Sequence, residues 1–249
     1  MAHQEKLKDE ISYKSTWTQL AWFASGCTMV IISLAKSMKI LSTSPSHPRT
    51  WIEFNLSVLL SYVLVDLVSG IYHWAVDNYG SAQTPIFGPQ IEHFRAHHSQ
   101  PSAITKYDMA AILHTTSRVF MIAILPINIL SNDPVLLGFV GVFAGFGIFS
   151  MKLHAWSHTP KRQLPRLVAV LQDIGVILRW SQHKLHHQPP FKGNYCIVSG
   201  ICNWMLDEFK VFEAMEAIIF HVVGVRPRSW SEPNSDWKPV ESESELALD

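Results

Sequence analysis

Apolar positions along this chain are gathered into long runs, and polar positions fall in the breaks between them. The first run extends from Trp17 to Ala35 and is closed by Lys36 and Lys39. An apolar helix of about 20 residues crosses the hydrocarbon core of a bilayer, and Trp and Lys at its ends suit the two interfaces. A turn-rich STSPSHPRT follows, then a second run from about Glu53 to Ala75. A third begins after Asp108 and ends near Asn132, with Pro126 inside it expected to kink the helix. The fourth, Pro134 to about Leu153, carries Gly138, Gly141, Gly145 and Gly147. Gly141 and Gly145 form a G-x-x-x-G, a spacing that lets two membrane helices approach closely. Leu167 to Leu178 (LVAVLQDIGVIL) is too short to span and reads as a helix lying at the interface or buried beside the spans. Beyond Leu178 the pattern reads as polar and irregular.

These runs predict an all-α integral membrane protein with four transmembrane helices, an interfacial helix and a histidine-rich cap on one face. Residues 1–16 form a polar N-terminal arm, residues 17–237 the membrane domain, and residues 238–249 a disordered, Glu- and Ser-rich tail. An even number of spans puts both termini on one face. Most Lys and Arg outside the first loop lie on that side, which predicts a cytosolic or stromal location for it; Lys36, Lys39 and Arg49 dissent.

Composition agrees: 48% of residues are hydrophobic and 16% charged, against about 25% charged in a soluble domain. A formal net charge of zero gives no basis for a nucleic-acid partner. Cys27, Cys196 and Cys202 show no C-x-x-C spacing, so neither a disulfide framework nor a zinc knuckle is indicated. The first residues are too acidic for an organelle transit peptide and lack the apolar core of a signal peptide.

The histidines change the picture. HWAVD (His73, Asp77) ends the second span, HFRAHH (His93, His97, His98) follows it, HAWSH (His154, His158) leaves the fourth span, and HKLHH (His183, His186, His187) comes after the short apolar segment. All fall on the membrane face that carries the termini. The pairs 73/77, 93/97, 154/158 and 183/187 are each i, i+4, neighbours on one helical face. A lone histidine near an interface is ordinarily a polar anchor, and His3, His47 and His221 read so. His93 and His114 lean the same way and stay only as accessory candidates. For His73, Asp77, His97, His98, His154, His158, His183, His186 and His187, that reading needs four separate coincidences near hydrocarbon, where such groups are costly. Eight imidazoles and a carboxylate are too many for one ion and suit two, and imidazole-rich sites with open positions suit iron that handles O2. Beside a bilayer, the matching substrate is an acyl chain. Its methylenes have neither an acidic proton nor a carbonyl, so only an oxidant assembled at a redox metal can attack them.

Asp66, Gly70, His73 and Asp77 form one stripe along the second span. Asp66 lies about 10 Å below His73 and is read either as a functional carboxylate or as the buried partner of Lys152 or Arg118. Gly70 is read as room for a ligand on the same stripe.

With IYHWAVDNYG, FRAHH, AITKYD, HAWSH, HKLHH, GNYCIVSG and GVRPRSWSEPNSDW on the page, the chain resembles the plant plastid palmitate desaturases. The wider family includes the plasmanylethanolamine desaturases. The resemblance covers about residues 50–237. It implies a four-helix membrane desaturase with two non-haem iron ions, held by the nine residues where the motifs match. It further implies O2 as co-substrate and a trans-3 double bond placed in palmitate of the membrane lipid phosphatidylglycerol. A chloroplast membrane is implied as well, with the endoplasmic reticulum as the alternative because residues 1–15 do not look like a transit peptide. No haem-attachment motif, G-x-G-x-x-G or iron–sulfur cysteine pattern is present, so the electron donor is expected to be a separate protein, ferredoxin or cytochrome b5. Lys161, Arg162 and Arg166 mark a docking face for it, or equally contacts to lipid headgroups. The alternatives are a plasmanylethanolamine desaturase, a lipid hydroxylase and a non-catalytic metal-binding membrane scaffold or transporter.

Overall fold

The computed structural model describes residues 13–43, 48–189 and 191–231, so the tail at 238–249 and most of the N-terminal arm lie outside the described residues. In chain order the helices are α1 (Trp17–Thr43), α2 (Pro48–Asn78), α3 (Gly88–Ser99), α4 (Met109–Leu130), α5 (Pro134–Ser157), α6 (Arg166–Asp173), α7 (Trp180–His186), α8 (Asn203–Glu208) and α9 (Val211–Val223). No strand occurs among the described residues. Among the described residues, helices α1, α2, α4 and α5 are the four long and apolar enough to cross a membrane.

Helix α2 has 31 residues. At a rise of about 1.5 Å each it is some 46 Å long, well beyond the ~30 Å hydrocarbon core. The helix is thus long enough to extend beyond the hydrocarbon, and its last turns carry His73 and Asp77. Helix α4 continues through Pro126 to Leu130, so the proline lies in its closing turns and does not divide the span.

Helix α1 packs on α4 and α5, and α2 packs on α5. Glycines on α5 set those approaches. A Cβ at Gly138 would overlap the Phe54 ring of α2, and one at Gly147 the Phe120 ring of α4. Within the G-x-x-x-G, a Cβ at Gly141 would come within 2.7 Å of Leu34, whereas at Gly145 its nearest neighbour would be Val30 at 3.5 Å. The close approach is thus spread along α5, beyond the motif itself. Two buried polar side chains of the bundle pair with each other: Ser33 Oγ donates to Asn128 Oδ1 at 2.6 Å, and Asn128 Nδ2 donates to the Met29 carbonyl at 3.0 Å. Lys36 Nζ donates to the carbonyls of Asn128 and Ser131, so it caps the C-terminal end of α4.

At the opposite end, residues 13–16 of the arm dock beside the start of α4. The Asp108 amide donates to the Tyr13 carbonyl at 2.9 Å, and the Ser15 amide to Asp108 Oδ2 at 3.0 Å. That end also holds the termini of α2 and α5 and the short helices α3 and α7.

Two expectations need correction. Only part of Leu167–Leu178 is helical, because α6 ends at Asp173 and Gly175 turns the chain in the left-handed region at φ 76°. The part after the turn joins a core of Val65, Leu153, Leu164, Val168, Ile177 and Val198. The chain beyond Leu178 is also not irregular throughout: Val211–Val223 forms the apolar helix α9. Its period is interrupted by Glu216, which is buried and held by three neutral donors: Trp74 Nε1 and Ser229 Oγ on Oε1, and Trp230 Nε1 on Oε2.

Candidate metal centre

Every candidate ligand sits where a helix ends. His73 and Asp77 lie in the last turns of α2, His97 and His98 in the last turn of α3, His154 in the last turn of α5 with His158 one residue past it, His183 and His186 in α7, and His187 at its C-cap. Helix α3 is pinned by Ile91 and Phe94, which pack on Val76 of α2.

The side chains gather into two groups. In one, His97, His154, His158, His183 and His187 each offer a ring nitrogen, and those atoms lie within 4.8 Å of one another. His97 Nε2 is 3.0 Å from Nε2 of both His154 and His158, which are 3.3 Å apart, and His183 and His187 meet Nε2 to Nε2 at 3.1 Å. Metal–imidazole bonds of about 2.1 Å at right angles put neighbouring nitrogens ~3.0 Å apart and opposite ones ~4.2 Å apart. The five nitrogens therefore fit around one ion.

The other group is His73, Asp77, His98 and His186. Asp77 Oδ2 lies 3.1 Å from His98 Nε2 and 3.4 Å from Nε2 of His73 and of His186. Here the ring orientations are fixed from behind. His73 Nδ1–H donates to the Tyr195 carbonyl and His186 Nδ1–H to the Gly193 carbonyl, each at 3.0 Å. With the proton on Nδ1, each Nε2 presents its lone pair to the centre, the arrangement found behind metal-bound histidine. Neither inward Nε2, nor Asp77 Oδ1, has a hydrogen-bond partner among the described residues. Buried polar atoms are rarely left so, and a cation is the partner that satisfies all of them. In the first group the outward Nδ1 atoms of His154, His183 and His187 likewise have no hydrogen-bond partner among the described residues.

Burial, and then neighbouring imidazoles, push the pKa of His97, His183 and His187 well below the ordinary histidine range, and that of His158 down to about 3. At neutral pH these rings are uncharged with lone pairs free, as metal binding requires.

The other candidates lie elsewhere. His93 packs its ring edge-on to Tyr107 at 5.9 Å, and His114 turns Nδ1 to the Ala111 carbonyl at 2.9 Å; neither belongs to either group. Asp66 is fully buried, but its partner is neither Lys152 nor Arg118. Those two cations lie over Trp156 and Trp22. Asp66 Oδ1 accepts the amides of Ser199 and Gly200 at 2.7 and 2.9 Å, and Oδ2 that of Cys202 at 3.0 Å. The space at Gly70 is filled by Cys196 Sγ, which leaves no room there for a ligand. Sequence reasoning passed over Tyr195 and Gly193 as supports of the centre, because they act through backbone carbonyls that carry no side-chain signature.

Four membrane-crossing helices that collect eight histidines and an aspartate into two metal-capable groups at one end define a histidine-rich integral membrane protein. Residues 62–230 match the lipid desaturase domain family, and the chain belongs to that family. It is 49% identical over 222 residues to "Fatty acid desaturase 4, chloroplastic" of Arabidopsis thaliana, covering 89% of this chain and 68% of the relative. Identity to "Fatty acid desaturase 4-like 2, chloroplastic" of the same plant is 45% over 228 residues, covering 92% and 80%. Identity to "Plasmanylethanolamine desaturase 1" of Mus musculus is 33% over 187 residues, covering 70% and 68%. No solved structure matches the chain. The fold, the family and the relatives make it an oxidoreductase of the desaturase type.

Proposed function

We propose that this chain is an O2-dependent acyl-lipid desaturase that places a trans-3 double bond in the palmitate of phosphatidylglycerol. The observation that carries the reading is the pair of ligand groups at the end of α2. His97, His154, His158, His183 and His187 would hold one iron, and His73, Asp77, His98 and His186 the other. Bound there, the two irons would supply the oxidising power to remove one hydrogen from each of two adjacent methylenes. Those two hydrogens, O2, and two electrons and two protons supplied from outside would together leave as two waters.

The protein's own contribution is positional. The carbonyls of Tyr195 and Gly193 aim His73 and His186. Asp77 brings the only negative charge among the nine and offsets part of the metal charge. Burial of all five imidazoles in the first group excludes water from an oxidising centre.

Substrate choice rests on two points. The centre lies at the end of α2, near the interface, where carbon 3 of an ester-linked chain can reach it without a long tunnel. The chain is also more similar to the chloroplast-named relatives than to the plasmanylethanolamine desaturase, which supports a chloroplast membrane too. The electrons come from a separate donor, ferredoxin in that compartment. Expression in a host containing phosphatidylglycerol and a suitable donor, followed by lipid analysis, tests the reading. Trans-3-hexadecenoate confined to phosphatidylglycerol is expected; a vinyl ether product would overturn it in favour of the plasmanyl reaction, and a hydroxylated chain in favour of a hydroxylase.

A further inference from the structure

The two connections that flank the metal groups in sequence do not stay on the cap. Tyr62 Oη donates to the Val176 carbonyl at 2.6 Å, Cys202 Sγ lies 3.6 Å from the Val63 carbonyl, and Asp66 holds residues 199–202. On α2, Asp66 is seven residues and Tyr62 eleven residues before His73, which puts both turns roughly 10–16 Å deeper toward the middle of the span than that ligand. The turns also hold each other, with the Leu178 amide donating to the Val198 carbonyl at 2.9 Å.

The backbone amides of the second turn face inward. The amides of Ser199, Gly200 and Cys202 go to Asp66, that of Ile197 to Ser69 Oγ, and that of Ile201 to Ser199 Oγ. Most of the outward side chains of the two turns are apolar: Leu167 and Ile174 on one turn, Ile201 and Trp204 on the other, with Trp204 71% exposed. The charged exceptions are Arg166, which opens the first segment, and Asp173, which is neutralised by Lys161 at 2.9 Å. Helix α2, on which both turns are anchored, likewise exposes Leu59, Leu60 and Val68. Water would not require these amides to be satisfied from within, nor favour an indole so exposed. Hydrocarbon requires the first and favours the second, and it admits non-helical backbone only where protein satisfies it.

We propose that residues 166–178 and 196–205 form a paired re-entrant insertion in the leaflet on the histidine side, with lipid acyl chains as the partner of Leu167, Ile174, Ile201 and Trp204. The catalytic face is then rooted in the leaflet beside α2, and does not merely rest on the headgroups.

The test uses the full chain in phosphatidylglycerol-containing vesicles. Nitroxide labels at Ile174→Cys and Trp204→Cys are compared with Leu60→Cys on the lipid face of α2 and Glu92→Cys on the exposed side of α3. Collision with O2 is expected to match Leu60, and collision with a water-soluble nickel chelate to be lost as it is there; nickel access like that at Glu92 overturns the proposal. Hydroxyl-radical footprinting of the unsubstituted chain needs no variant to fold. Trp204 and Met205 should escape oxidation in vesicles, and heavy oxidation there overturns the proposal. Protection that vanishes when the chain is diluted into excess lipid would assign the face to a second copy and also overturn it.

Discussion

Asp66 Oδ1 accepts the amide of Ser199 at 2.7 Å across a sequence separation of 133 residues. With the amides of Gly200 and Cys202 it makes the carboxylate an anchor for a turn beside α2 and leaves it far from the ligand groups. Hydrogen bonds to a charged group contribute about 1.5–3 kcal/mol each. Asp66→Asn replaces one acceptor oxygen by a donor facing an amide, so a loss of about 2 kcal/mol is expected. The thermal midpoint in detergent should fall while iron per folded chain stays at the wild-type value. A normal midpoint with lost iron would place Asp66 in the metal centre instead.

The two ligand groups predict separable losses. His183→Ala removes a member of the all-histidine group and Asp77→Ala a member of the other, so each should lower bound iron from two to one per chain, read by elemental analysis. His93→Ala and His114→Ala leave both groups intact and should retain two irons. On the proposed two-iron reading, desaturation should vanish in the first pair of variants and persist in the second.

How far these features can be read from the residues follows from where their signals lie. The spans are written in continuous apolar runs, and the candidate ligands in four short His-rich clusters at or beyond the ends of those runs. The division into two groups is not written there, because it depends on how α3 and α7 dock on α2 and α5: His97 and His98 are adjacent in sequence yet belong to different groups. The partner of Asp66 is three backbone amides, which no residue type marks. Helix α9 is obscured because Glu216 occupies its buried face, where three neutral donors make a carboxylate tolerable.

Tyr195 supports His73 through its carbonyl, while its hydroxyl donates to the Phe191 carbonyl at 2.8 Å and accepts from Asn78 Nδ2 at 3.2 Å. Tyr195→Phe deletes only the hydroxyl contacts. A cost of about 1 kcal/mol is expected, with more if the Asn78 amide finds no new partner. Two irons per chain should remain, because the carbonyl is unchanged. Loss of one iron in this variant would show that the hydroxyl, and not the backbone alone, fixes the ligand.

The glycines of α5 provide the last prediction, in which two neighbouring positions should respond in opposite ways. At Gly145 an added Cβ meets only Val30, at an ordinary 3.5 Å. Alanine also favours the helix over glycine by about 1 kcal/mol. Gly145→Ala should therefore leave the thermal midpoint unchanged or raise it. At Gly147 the same methyl overlaps the ring of Phe120, which is itself wedged edge-on against Phe143 with centroids 6.0 Å apart. That ring cannot swing aside without disturbing the core of Ile124, Val140 and Ala144. Overpacking of this kind costs about 1–3 kcal/mol, more than the helix preference returns. Gly147→Ala should lower the midpoint, and Phe120→Leu in the same chain should recover part of the loss by vacating the overlap. If Gly145→Ala proved the more damaging of the two, the G-x-x-x-G spacing rather than the Gly147–Phe120 contact would set how closely α5 approaches its neighbours.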